Sequence, residues 1–102
     1  MAHIPACRRM YNRYETHSTA WVRCVSEEPA AVLMENVSAR GAAILGYQRF
    51  AVNDTLTIFF DLPFLSRRRI HKQAHIAWCT QVGQGTWEAG LDFGIDNMLL
   101  LS

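Results

Sequence analysis

Apolar and polar residues alternate along this chain in short blocks at near-regular spacing. "TLTIFFDL" puts Leu56, Ile58, Phe60 and Leu62 on one face by period-two alternation. "IHKQAHIAWCTQV" places Ile70, Ala74, Ile76 and Trp78 on one side, and "TWEAGLDFG" aligns Trp87, Ala89, Leu91 and Phe93. Three earlier blocks, "TAWVRCVS", "AAVLMENVS" and "GAAILG", are rich in large and β-branched residues and also read as strands. Turn formers separate the blocks: "EEP", "VND", "PFLSRRR" and "GQG". The pattern predicts an all-β fold, a six-stranded antiparallel β-barrel. Closure into a barrel is favoured over an open sandwich because so small a chain has little else to cover its edge strands. "IDNMLLLS" has the composition to begin a helix, but the chain stops before a second turn. Residues 1–19 are polar, carry Pro5 and show no sustained period, so they read as a flexible N-terminal arm, with the barrel over 20–102.

Size and composition fit that picture. A chain of 102 residues is one domain with one modest core, worth about 5–10 kcal/mol of net stability. Half the residues are hydrophobic and 19% are charged, a globular composition. No apolar run approaches the roughly 20 residues of a transmembrane helix, and the N-terminus lacks a secretory signal pattern. A cytoplasmic location is expected. The three cysteines, Cys7, Cys24 and Cys79, are widely spaced without C-x-x-C, which argues for free buried thiols rather than disulfides or a zinc site.

The chemistry-bearing residues are few. No phosphate loop, H-E-x-x-H or nucleophile elbow occurs, so no enzyme is indicated. His71 and His75 share a strand face but lie about 13 Å apart, too far for one metal ion. Asp54, Asp61 and Asp92 read as solvated. Against a formal net charge of +1, Arg8, Arg9 and Arg13 concentrate positive charge in "CRRMYNRYE". A second polar stretch, "ENVSARG", interrupts two apolar strands and spaces Asn36, Ser38 and Gly41 as N-x-S-x-x-G. Either stretch alone reads as a solvated tail or a tight connection.

Taken in order, Arg9-x-x-x-Arg13 and Asn36-x-Ser38-x-x-Gly41 resemble the two signatures of the PilZ domain family, whose members bind the bacterial second messenger cyclic di-GMP. "AVNDTLTIFFDLP", "AHIAWC" and "AGLDFG" are similar to later strands of the same family, with Ile76 where Val is usual. The likeness spans roughly residues 8 to 94. It implies a non-catalytic cyclic di-GMP receptor with no further cofactor, bound through Arg9, Arg13, Asn36, Ser38 and Gly41, and Arg8, which immediately precedes the first signature, joins them as a candidate. A downstream protein partner is expected, and DNA is not.

The residue types suit that ligand. Arg forks to phosphate oxygens or to the O6/N7 edge of guanine and stacks on bases. Asn36 offers a donor and an acceptor to a base edge. Ser38 can donate to a phosphate or fix the loop, and Gly41 lets backbone approach closely. Arg8 adds a planar cation for a second, stacked ligand. Binding between arm and barrel would order the arm, which a partner could then read. Two other classes stay open on the sequence alone. One is an adaptor that has lost the nucleotide. The other is an oligonucleotide-binding barrel with Tyr11, Tyr14 and Trp21 as stacking platforms, which the near-zero net charge disfavours. The basic group Arg67, Arg68, Arg69 and Lys72 reads as an exposed hairpin tip.

Overall fold

The computed structural model describes residues 11–25, 27–62 and 69–99. Arg8 and Arg9, the first ten residues of the expected arm, and Arg67 and Arg68 lie outside the described residues. Six strands follow in chain order: β1 Tyr14–Cys24, β2 Ala30–Val37, β3 Gly41–Gly46, β4 Thr55–Asp61, β5 Arg69–Gly83 and β6 Thr86–Asp92. All pair antiparallel in the closed order β1-β2-β3-β6-β5-β4, with β4 returning to β1. The expected barrel is therefore formed, and no described edge is left open along the ring.

The barrel interior is filled by the inward half of each alternation. Leu56, Ile58, Phe60 and Leu62 are buried as the pattern predicts, and so are Ile76, Ala89, Leu91 and Phe93. Val22, Val32, Met34, Val37 and Ile44 complete the centre. Each large side chain buried here contributes about 1.5–3 kcal/mol. Cys24 and Cys79 are free and half-buried against this core, and burial, then Glu27 and Asp54, push the Cys24 thiol pKa up.

Turn chemistry matches the connections. Asn53 sits at φ 76 in the "VND" turn and Gly85 at φ 71 in the β5–β6 hairpin, positions that suit Asn and Gly. Three features depart from the sequence pattern. First, β1 begins at Tyr14 rather than Thr19, so residues 14–19 of the expected arm are strand. Their hold on β2 is backbone pairing plus the Thr16 hydroxyl donating to the Met34 carbonyl at 2.7 Å, which no hydrophobic period reveals.

Second, Trp78 is on the outside. Ile76 pairs with Leu91 and Trp78 with Gly90, so Ala77 is an extra residue in β5. Such a bulge reverses the inside–outside alternation beyond it. Ile76 stays in, Trp78 turns out to 43% exposure, and Cys79 turns to the core. Third, the C-terminal segment makes one 3-10 turn, Ile95–Asn97, after Gly94 at φ 87. It is tied down where Lys72 Nζ donates to Asn97 Oδ1 at 3.2 Å and to the Met98 carbonyl. Lys72 thus belongs to this tie rather than to a hairpin tip, and Arg69 pairs with Asp61 at 3.0 Å.

Candidate functional site

A bulge in β2 aims Asn36. Met34 pairs with Ile44 and Asn36 with Ala43, leaving Glu35 as the extra residue. Met34 and Val37 therefore both face the core, and Asn36 faces outward between them. The chain then reverses through Ser38 to Gly41. Ser38 N–H donates to the Gly41 carbonyl at 2.8 Å, and the Ser38 hydroxyl oxygen accepts from the N–H groups of Arg40 (3.3 Å) and Gly41 (3.2 Å). The serine fixes the turn from inside, as Ser does when it competes for local backbone donors. Gly41 is needed for packing: a Cβ there would collide with the Leu91 carbonyl oxygen of β6.

Arg13 reaches this turn from the start of β1. Its Nη1 donates to Asn36 Oδ1 at 3.3 Å across 23 residues of sequence. The bond is exposed and weak, but it brings the second arginine of R-x-x-x-R to the first residue of N-x-S-x-x-G. Arg13, Asn36, Ser38 and Gly41 all line one cleft of about 270 Å³. Of the expected site residues, Arg8 and Arg9 lie outside the described residues, and the other four come together.

Among the other residues that line the cleft, three carry side chains of chemical interest. Trp78 forms an aromatic wall, and it lies so close to Gly90 that a Cβ on that glycine would overlap the indole. Its signal in the sequence is a glycine in the neighbouring strand, legible only with the bulge in hand. Arg40 and Asp92 are the other two, joined by Arg40 Nε donating to Asp92 Oδ1 at 2.9 Å. Asp92 is not the solvated carboxylate its sequence setting suggests; it is half-buried and also accepts from the Gly94 N–H at 2.8 Å. Burial pulls its carboxyl pKa upward, but the Gly94 N–H, Arg40 and His75 outweigh this and hold it below the usual range. His75 Nε2 stands 3.8 Å from Asp92 Oδ2. Tyr11 also borders the cleft.

Beside the cleft, Glu35 on its bulge is pushed from its ordinary 4.5 to about 7. The hydrogen bond with Glu88 is the main cause, with burial and the Glu88 charge adding to it; His17 opposes and Glu15 assists. The site is therefore a cationic and aromatic surface with polar anchors. It can bind a planar, anionic ligand by charge-assisted hydrogen bonds and stacking. Among the described residues no group of acidic, His and Cys side chains is placed to hold a metal ion, and no helix is long and apolar enough to cross a membrane.

Comparison with known proteins agrees with this geometry. The family model described as PilZ domain matches residues 8–98. Among solved structures the chain is similar to the Bacillus subtilis inhibitor of motility MotI/DgrA, at 24% identity and a TM-score of 0.68, over 85% of this chain and 43% of that one. It is also similar to the Borreliella burgdorferi PlzA protein, solved in complex with c-di-GMP, at 14% identity and a TM-score of 0.63, over 90% of this chain and 36% of that one. The chain thus spans less than half the length of either neighbour. No curated protein matches it.

Proposed function

The chain belongs to the PilZ domain family, and from that premise we propose that it is a non-catalytic receptor for cyclic di-GMP which binds the nucleotide in the cleft between β1, the Ser38–Gly41 turn and Trp78. The observation that carries this reading is the meeting of Arg13 and Asn36, from two separate motifs, at one cleft. The PlzA complex supports the ligand class.

Each residue has a role that its chemistry suits. Arg9 and Arg13 grip phosphate or the guanine O6/N7 edge. Asn36 reads a base edge. Ser38 and Gly41 hold the turn so that its groups meet the ligand. Trp78 offers a face for a guanine to stack on. Arg8 stacks on the guanine of a second ligand, so that two nucleotides bind as a stacked pair. Binding orders the segment before β1 against the barrel, and the ordered surface is what a downstream protein reads, in a cytoplasmic setting.

Calorimetric titration with cyclic di-GMP, linear GMP and single-stranded RNA tests the proposal. Saturable binding of cyclic di-GMP alone is expected. Preference for RNA would make the barrel an oligonucleotide binder, and no binding to any of the three would leave a nucleotide-independent adaptor.

A further inference from the structure

At a position that the N-x-S-x-x-G signature leaves open, the cleft holds a second described arginine, Arg40, whose setting differs from that of Arg13. Arg40 is fixed at both ends. Its N–H donates to the Ser38 hydroxyl at 3.3 Å, and its carbonyl accepts from the Phe93 N–H at 2.8 Å. Its guanidinium is held through Nε by Asp92, and Asp92 is held by the Gly94 N–H. Gly41 and Asp92 are also direct partners in the β3–β6 ladder, so the pair rests on a rigid strand junction.

We propose that Arg40 is a third ligand-gripping arginine of the cleft, and that Asp92 is the residue that positions it for the phosphates or guanine edge of the bound nucleotide. This inference rests on the cyclic di-GMP reading of the cleft. With Nε committed to Asp92, the two terminal amino groups carry four further N–H donors in one fixed plane. A long side chain already immobilised loses little rotamer freedom on binding, whereas exposed Arg13 must be ordered by the ligand. The pair also explains why a carboxylate is found in a site for a dianion. Left alone, Asp92 would repel the ligand. Paired with Arg40, it is neutralised and contributes orientation.

The two roles open to Asp92 differ in the sign of their effect. If Asp92 acts only as a negative charge near an anion site, Asp92→Ala tightens cyclic di-GMP binding. If it positions Arg40, Asp92→Ala weakens binding, about 3- to 10-fold, and Asp92→Asn, which keeps an acceptor for Nε, stays close to wild type. Arg40→Ala should weaken binding about 10- to 100-fold, and Arg40→Lys should recover only part of that because the planar fork is lost. In the Arg40→Ala background, where Asp92 is left unpaired beside an anion, Asp92→Ala should cause no further loss and should recover part of the affinity.

The experiment is isothermal titration of the whole chain and these variants with cyclic di-GMP, each checked by thermal unfolding. Asp92→Asn and Arg40→Lys keep the test informative should an alanine variant fail to fold. Arg40→Ala and Arg40→Lys binding within twofold of wild type, or tighter binding by Asp92→Ala, would overturn the proposal while Arg13→Ala still abolished binding. Wild-type protein that does not bind at all would overturn both this inference and the receptor reading on which it rests.

Discussion

The Trp78 indole lies directly over Gly90, in the space a Cβ at that position would occupy. The Ala77 bulge turns the ring out of the barrel, and the bare glycine lets it lie flat beside the cleft. Gly90→Ala should therefore lift the indole, whose 43% exposure gives it room to move. A change in tryptophan fluorescence and weaker cyclic di-GMP binding are expected, with a stability loss of about 1–3 kcal/mol from overpacking. Unchanged affinity in a folded Gly90→Ala protein would remove Trp78 from the binding surface.

Gly41 and Ser38 should separate in stability measurements. A Cβ at Gly41 meets backbone, the Leu91 carbonyl, which cannot rotate away as a side chain can. Gly41→Ala should part β3 from β6 and cost about 1–3 kcal/mol. Ser38→Ala removes a single hydroxyl that accepts two backbone N–H groups, worth about 0.5–1.5 kcal/mol per bond, partly recovered from water. Denaturant unfolding should show the larger loss for Gly41→Ala. The reverse order would mean the turn, and not the strand junction, is the weaker point.

The Glu35–Glu88 contact predicts a pH dependence. Glu35 binds its proton more tightly in the folded chain, where its pKa is about 7 against an ordinary 4.5. Between those values the folded state holds more protons than the unfolded state, so stability falls as pH rises through that window. Asp92 acts in the opposite sense: its depressed pKa contributes stability that is lost only in acid. Glu35→Gln should raise the unfolding temperature at pH 8 and change it little at pH 5. Parallel profiles for the two proteins would show that the carboxylates do not share a proton.

Ordering of the segment before β1 can be followed by amide hydrogen exchange. Protection around residues 7 to 13 should rise when cyclic di-GMP is added, while β4 and β5 change little. Fixing each backbone residue costs about 1–2 kcal/mol, which limits the ordered stretch to a few residues. Protection already present in the free protein, and unchanged by ligand, would mean that the arm is docked in advance and that the signal lies elsewhere.

Much of the barrel is legible in the sequence because period-two alternation marks an inner face directly. Leu56, Ile58, Phe60 and Leu62 are all buried where the pattern puts them. Trp78 is misplaced by that pattern because one inserted residue, Ala77, reverses it, and no local composition marks an insertion. Asn36 is found by its motif, but its outward aim depends on a second bulge at Glu35. Arg40 and Asp92 are 52 residues apart and meet only through the β3–β6 register, which spacing along the chain does not encode. The start of β1 escapes the pattern because polar residues 14–18 are held by backbone pairing rather than by apolar contacts.

The most direct measurement is a calorimetric titration of cyclic di-GMP into the wild-type chain, Arg13→Ala and Asn36→Ala. Arg13 is exposed, so its removal should leave the fold intact and cost about 2–5 kcal/mol of binding. Asn36→Ala, which removes neutral hydrogen bonds, should cost about 0.5–1.5 kcal/mol. Saturable wild-type binding, lost with Arg13 and weakened with Asn36, is the predicted result. Equal binding by all three proteins would contradict a nucleotide site built where Arg13 meets Asn36.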